Sequence, residues 1–177
     1  MKFTLLNILC LFVFVSCSMP KLKPVKYVRS DWPHWIDQDK DCLDTRAEIL
    51  KQRSLVPVSM NKKGCKVKTG KWKDYYYPET LTQASQVDID HLIPLKHAHE
   101  TGAAHWSRSQ KEKFANDPEN LVITNRRYNR QKGAKGIDEW LPVHKDYACK
   151  YIADWIKLKK KYHLILRSAE QNSNCQL

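Results

Sequence analysis

Hydrophobic and polar positions along this chain change period several times, and each change predicts an element. Met1-Lys2 precedes an apolar run from Phe3 to Val15, broken only by Thr4 and Asn7. At 13 residues the run is short for ~30 Å of hydrocarbon. With its leading Lys and the small residues that follow, it reads as a secretory signal peptide over residues 1–18. Two cleavage readings stay open: an ordinary site around Ser16-Cys17-Ser18, or a lipoprotein cut before a lipidated Cys17. Residues 19–30 are Pro, Lys and Val without a period and read as a tether, leaving 31–177 as the folded domain.

Within that domain, Asp41 to Arg53 places Leu43, Ala47 and Leu50 at helical spacing, with an acidic start and a basic end. Val56–Val58 and Cys65–Val67 flank Asn61-Lys-Lys-Gly64, the pattern of a hairpin. Val87 to Pro94 alternates apolar and polar positions and predicts a half-buried strand ending at the proline. Alternation puts Asp88 and Asp90 on one face and His91 on the other, unless the strand bends there. Two short helices follow around Gly102, then a strand at Leu121–Ile123 and a helix from Asn125 to Lys132 that stops at Gly133. Tyr147, Ala148, Tyr151, Ile152, Trp155 and Leu158 line one face of a long closing helix. Its Lys157, Lys159, Lys160 and Lys161 read as a solvated end favoured by the helix dipole. His97, His99 and His105 diverge in helical phase and read as surface residues, while Trp32, Trp35, Trp106, Trp140 and Trp155 read as core. The sum is an α+β domain.

Composition narrows the class. The 177 residues are 42% hydrophobic and 10% aromatic, which excludes a disordered chain, and 5 Gly with no fixed period exclude collagen-like and solenoid architectures. Lys plus Arg exceed Asp plus Glu by 31 to 19, a net charge of +12 that suits a polyanionic partner. Beyond Cys10 and Cys17, four cysteines remain without any C-x-x-C pair: Cys42, Cys65, Cys149 and Cys175. Zinc needs closely paired thiolates, so an exported, disulfide-stapled domain is the better reading. Of three possible pairings, the nearest in sequence are Cys42–Cys65 and Cys149–Cys175.

The chemistry concentrates between residues 87 and 135. Asp90 beside His91 offers a hard oxygen ligand for a divalent cation next to a base that titrates near neutrality. Asn129 offers a second oxygen, and Mg²⁺ favours such sparse sites, where it keeps waters and takes substrate phosphate oxygens. Arg126, Arg127, Arg130, Lys132 and Lys135 fall in one stretch without an acid, suited to phosphate contacts that carry little sequence information.

This pattern resembles the HNH endonucleases of the ββα-metal superfamily: Asp-His, then Asn-Leu at Asn120, then Asn on a helix followed by Lys. Asn129 lies nine positions after Asn120 and Lys132 three further on. Asp31-Trp-Pro-His-Trp35, Cys42 to Glu48, Phe114-Ala-Asn-Asp117, Lys132 to Lys135 and Trp140-Leu-Pro142 resemble a secreted bacterial branch of the family. That branch is related to the nuclease domain of the GmrSD restriction endonucleases. The resemblance implies a ββα-metal core at residues 87–135 with additional helices and a small N-terminal hairpin. It implies His91 as general base, Asp90 and Asn129 as ligands of one Mg²⁺ (Mn²⁺ would also suit), and Asn120 as a brace for the loop presenting His91. The expected activity is metal-dependent, largely non-specific phosphodiester hydrolysis of DNA, with RNA left open. The protein would be extracellular, periplasmic or held to the envelope by a lipid on Cys17, with no obligate protein partner. The rival reading is a non-catalytic, basic nucleic-acid-binding surface protein serving uptake. A separate constellation, Asp37, Asp39, Asp41 and Glu48, matches calcium-loop spacing but has Cys42 where the loop needs Gly.

Overall fold

The computed structural model describes residues 25–173 and residue 175, so the signal-peptide and Cys17 lipid expectations fall outside the described residues. Helix α1, Thr45–Gln52, starts where the Asp44 side chain accepts the Ala47 N–H, and it buries Ala47, Ile49 and Leu50. Strands β1 (Ser59–Met60), β2 (Val67–Lys73) and β3 (Thr80–Gln83) form an antiparallel sheet in that order. The expected hairpin turn forms, with Asn61 Oδ1 accepting the N–H groups of Cys65 and Lys66. The ladder begins at Ser59 and not at Val56, because Pro57 has no N–H to give it. At Gly70 an added Cβ would lie 2.5 Å from the Trp72 ring. The bare backbone there lets that indole lie fully buried, donating to Leu50 O at 2.8 Å.

Strands β4 (Val87–His91) and β5 (Leu121–Asn125) make a second antiparallel pair, in register from Val87↔Asn125 to His91↔Leu121. Helix α4, Arg126–Lys132, follows at once, capped by Asn125 and ended by Gly133 at φ 55°. Strand, strand and helix thus give the ββα unit, its strands joined through α2 (Leu95–Glu100), a 3₁₀ turn at Ala103–His105 and α3 (Arg108–Ala115). The long helix α5, Lys145–Lys161, and the short α6, Ser168–Gln171, complete the α+β domain. Both disulfides form as Cys42–Cys65 and Cys149–Cys175.

The β4–β5 pair separates two cores. Val87, Ile89, Leu121 and Ile123 pack with Leu50, Val67, Trp72 and Leu81, whereas Leu92, Ile93 and Val122 join Trp32, Tyr76, Phe114, Tyr151 and Trp155. Period-two alternation along β5 puts Leu121 and Ile123 into one core and Val122 into the other.

Several surface expectations are corrected here. His97 is 1% exposed, edge-on to Trp155, and His99 is 6% exposed. The tether ends sooner than residue 30: His99 Nε2 donates to Val25 O at 2.8 Å and Tyr27 packs edge-on to the His99 ring. Lys159 is buried on Glu170 at 2.6 Å, while Lys157 and Lys161 bind Glu119, and Lys161 also binds Asp117. Of the four helix-end lysines, Lys160 alone stays solvated without an ion pair among the described residues.

Glu170 anchors the closing helix. Burial opposes its charge, but the His97 ring 3.2 Å away and hydrogen bonds from Lys159, the Arg167 N–H and Trp155 outweigh it and hold the carboxyl at about 2. A carboxyl depressed below its usual value stabilises the fold above its unfolded pKa, and that contribution is lost as pH falls through the folded value. Glu170→Ala is therefore expected to cost about 3–5 kcal/mol in urea denaturation near neutrality. The gap between wild type and Glu170→Gln should narrow as pH falls from 4.5 towards 2.

Candidate active site

Asp90 is 7% exposed, and its Oδ2 accepts two strong hydrogen bonds, from Tyr76 Oη at 2.6 Å and from Lys132 Nζ at 2.7 Å. The same ammonium donates to the backbone carbonyl of His91 at 2.8 Å. Lys132 is fully buried, and that burial lowers its pKa against the pull of Asp90. Its expected role as a phosphate contact is thus corrected: the helix turns Lys132 inward to neutralise a carboxylate of the strand beneath it. Asp90 Oδ1 makes no hydrogen bond to any described residue. One carboxylate oxygen is fixed by protein, and the other is left for something else.

His91 is 4% exposed, and its Nε2 sits 2.8 Å from the carbonyl of Ala115. A carbonyl only accepts, so Nε2 carries the proton and Nδ1 holds the lone pair in the neutral ring. Burial pushes this ring down to about 3, which keeps it neutral near pH 7. Trp35, itself in the left-handed region at φ 58°, lies nearly parallel to the ring at 24° with centroids 5.9 Å apart.

Asn120 is fully buried and does not line the cleft. Its Oδ1 accepts the Ile93 N–H at 2.8 Å and its amide donates to the carbonyls of Ile93 and Phe114. It therefore ties the chain just past His91 to the end of α3, where Ala115 also holds the His91 ring. Asn129, on α4, donates its amide N–H to Asp88 Oδ2 at 3.1 Å. That bond turns Oδ1 of Asn129 away from Asp88, free of any described hydrogen-bond donor.

Asp90, His91 and Asn129 line one cleft of about 340 Å³, together with Ile89, Arg29 and Tyr27. Three consecutive residues of β4 reach it because β4 is paired on one side only, so the cleft runs along its open edge. Strand alternation had placed Asp90 and His91 apart, and the open edge brings both to one space. The unpaired oxygens of Asp90 and Asn129 are a hard donor set, which fits Mg²⁺ or Mn²⁺ better than a soft metal.

Residues 44–173 match the family described as GmrSD restriction endonucleases, C-terminal domain. The chain belongs to that family. It is also 39% identical over 149 residues to a protein of Arthroderma benhamiae described as an uncharacterized secreted protein, covering 83% of this chain and 72% of the relative. No solved structure matches the chain. A GmrSD C-terminal domain is a nuclease-type domain, and nucleases of this kind usually work with a divalent metal. Two disulfides fit an oxidising compartment, and among the described residues no helix is long and apolar enough to cross a membrane.

In this GmrSD C-terminal domain the basic stretch divides by environment. Arg126, Arg127, Arg130 and Lys135 are exposed, with Arg126 Nε 3.6 Å from Asp88 and Arg127 over the Tyr128 ring. Lys135 Nζ donates to Gln131 O. Arg29, Asp88 and Tyr76 escaped the sequence reading. Arg29 lies in a segment without a period, and Tyr76 stands in a run of three tyrosines whose pattern names no partner. Asp88 gave one signal, its shared strand face with Asp90. Asp37, Asp39 and Asp41 bring carboxylate oxygens within 4.8 Å of one another on the surface, while Glu48 lies outside that group.

Lys132→Met should lower stability by about 3–5 kcal/mol, because it strands Asp90 as a buried, unpaired carboxylate. Pairing it with Asp90→Asn should recover a large part of the loss in a double-mutant cycle followed by urea denaturation. A solvent-facing lysine would shift stability by less than about 0.5 kcal/mol and show no coupling.

Proposed function

We propose that this chain is an exported, divalent-metal-dependent endonuclease that hydrolyses phosphodiester bonds of DNA with little sequence selection. The observation that carries the reading is the convergence of Asp90, His91 and Asn129 on one cleft. Asp90 and Asn129 would hold a single Mg²⁺. Such an ion, when bound, polarises the phosphoryl oxygen and eases departure of the 3′ oxygen. His91 Nδ1 takes the proton of the attacking water, and its Nε2–H, anchored on Ala115, holds the ring in the tautomer that can do so. Asp88 takes the Asn129 amide N–H, which would leave the amide oxygen to serve as the ligand of such an ion. Lys132 fixes Asp90 and the His91 backbone together, so ligand and base keep one spacing. Asn120 positions and does not react. Exposed Arg126, Arg127, Arg130 and Lys135 beside the cleft would meet phosphates, which gives affinity without base readout.

Export rests on the apolar leader and the two disulfides, with attachment through Cys17 an alternative to free secretion. The Asp37, Asp39 and Asp41 group would be a separate structural Ca²⁺ site, with no part in hydrolysis.

The test uses mature, oxidised protein with supercoiled plasmid in Mg²⁺ or in EDTA. Cleavage is expected in Mg²⁺ alone, leaving 5′-phosphate and 3′-hydroxyl ends. His91→Ala should cut turnover by ~10²–10⁴ in protein that circular dichroism shows to be folded. Asp88→Leu should raise the Mg²⁺ concentration needed for half-maximal rate and weaken Mn²⁺ binding measured by paramagnetic resonance, while Asp88→Asn, which keeps an acceptor, should restore both. A folded wild type that retards the plasmid but never cuts it in Mg²⁺ or Mn²⁺ would make the nucleic-acid-binding reading the better one.

A further inference from the structure

Between Glu48 and Asp74 the chain carries seven Lys and one Arg in 25 residues and no acid. Arg53 is spent on structure, donating to the carbonyls of Leu121 and Pro118. The seven lysines are all exposed, and among the described residues none takes part in an ion pair. The lysines of α5 contrast with them: Lys150, Lys157, Lys159 and Lys161 each have a carboxylate within 3 Å. Four lysines of α5 are thus neutralised, whereas the seven between Glu48 and Asp74 are not.

That face has a shape. On β2, Val67 and Trp72 point into the core, and the irregular register between Thr69 and Trp72 resets the alternation. Lys68, Lys71 and Lys73 consequently all stay on the solvent side, spanning roughly 17 Å at the rise of a strand. Beside them, a groove of about 550 Å³ lies between α1 and the sheet, lined by Arg46, Lys66, Lys68, Gln83 and Ser85. The acid of this groove, Asp44, has its carboxylate on the Ala47 N–H as the cap of α1. The Cys42–Cys65 bridge joins the hairpin to the segment leading into α1, so the basic wall is held in place before any partner arrives.

A chain of contacts links the groove to the elements that carry the cleft. Arg46 donates to the carbonyls of Ala84 and Val87, at the start of β4. The next residue, Asp88, meets both Arg126 and Asn129. Basic residues thus stand along this relay, from Lys66 and Lys68 in the groove through Arg46 to Arg126 at the start of α4.

We propose that this groove and the lysine row of β2 form a second binding surface for the sugar–phosphate backbone of nucleic acid, holding a strand that extends beyond the cleft. The proposal rests on the nuclease reading for its choice of polyanion, and it names where the substrate lies outside the reacting phosphate. A row of cations along one strand suits a polymer of repeating phosphates, and polar Gln83 and Ser85 add donors without base preference.

The experiment compares two full-length mature variants of equal net charge. One carries Lys66→Gln, Lys68→Gln, Lys71→Gln and Lys73→Gln; the other carries Lys113→Gln, Lys150→Gln, Lys157→Gln and Lys160→Gln. Binding to fluorescein-labelled duplex DNA of roughly thirty base pairs is read by anisotropy in EDTA, across about 50–200 mM salt. The groove variant is expected to lose about tenfold or more in affinity, and its salt slope should fall by up to ~3.6, at 0.9 for each lost phosphate contact. The control variant should stay within about threefold of wild type, and thermal melting checks that both are folded. Equal losses in the two variants, or wild-type affinity in the groove variant, would overturn the proposal. So would binding of wild type to phosphatidylglycerol vesicles with none to DNA. Because no metal is present, the outcome is independent of cleavage. DNA held through the groove but never cut would sink the nuclease reading alone, and cutting with unchanged affinity would sink this one alone.

Discussion

One buried ammonium organises the centre of this domain. Lys132 reaches from α4 into the space beneath β4, where it holds one oxygen of Asp90 and the carbonyl of His91 at once. Two buried opposite charges attract strongly, but the cost of desolvating both cancels much of the gain. The net stabilisation is modest, whereas the loss of either partner is severe. What the pair supplies is geometry. It fixes the helix against the strand, chooses which carboxylate oxygen remains free, and sets the spacing between Asp90 and the His91 backbone. Tyr76 reinforces it from a third direction, donating to the same oxygen that Lys132 holds.

Around that pair, the two cores act as a vice on β4 and β5. One takes Ile89 and Ile123 and the other takes Leu92 and Val122, so the two strands cannot slip by one residue without turning both faces out of register. The open edge of β4 is then the remaining place where strand residues can face a cleft. Asn120 and Ala115 fasten the far end, holding Ile93 and the His91 ring to the end of α3. The site is rigid because each of its groups is held by an element other than its own.

The surface follows a different rule. Most charges near α5 are neutralised in pairs, such as Lys157 and Lys161 with Glu119. Repulsion between the unpaired lysines of β2 is relieved in the folded chain only by solvent and salt. A polyanion relieves it more fully, which makes an unneutralised face on a disulfide-pinned hairpin a feature of binding more than of stability.

The sequence by itself determined a good deal. The periods of two and 3.6 located β4, β5, α1, α4 and α5 to within a few residues, since backbone geometry imposes those periods on any strand or helix with one buried face. Cysteine spacing pointed to the two bridges, and the Asp90, His91, Asn120 and Asn129 spacing pointed to the family. What only the tertiary structure decided is where each polar side chain turns. Lys132, Lys159, His97 and His99 look like surface residues in any local window, and the partners that make their burial tolerable, Asp90, Glu170 and Val25, lie 11 to 74 residues away. Asp88 on Asn129 and Arg29 in the cleft are likewise contacts between distant segments. Local pattern reports which residues prefer water; whether a charge is buried depends on a counter-charge that only folding brings near.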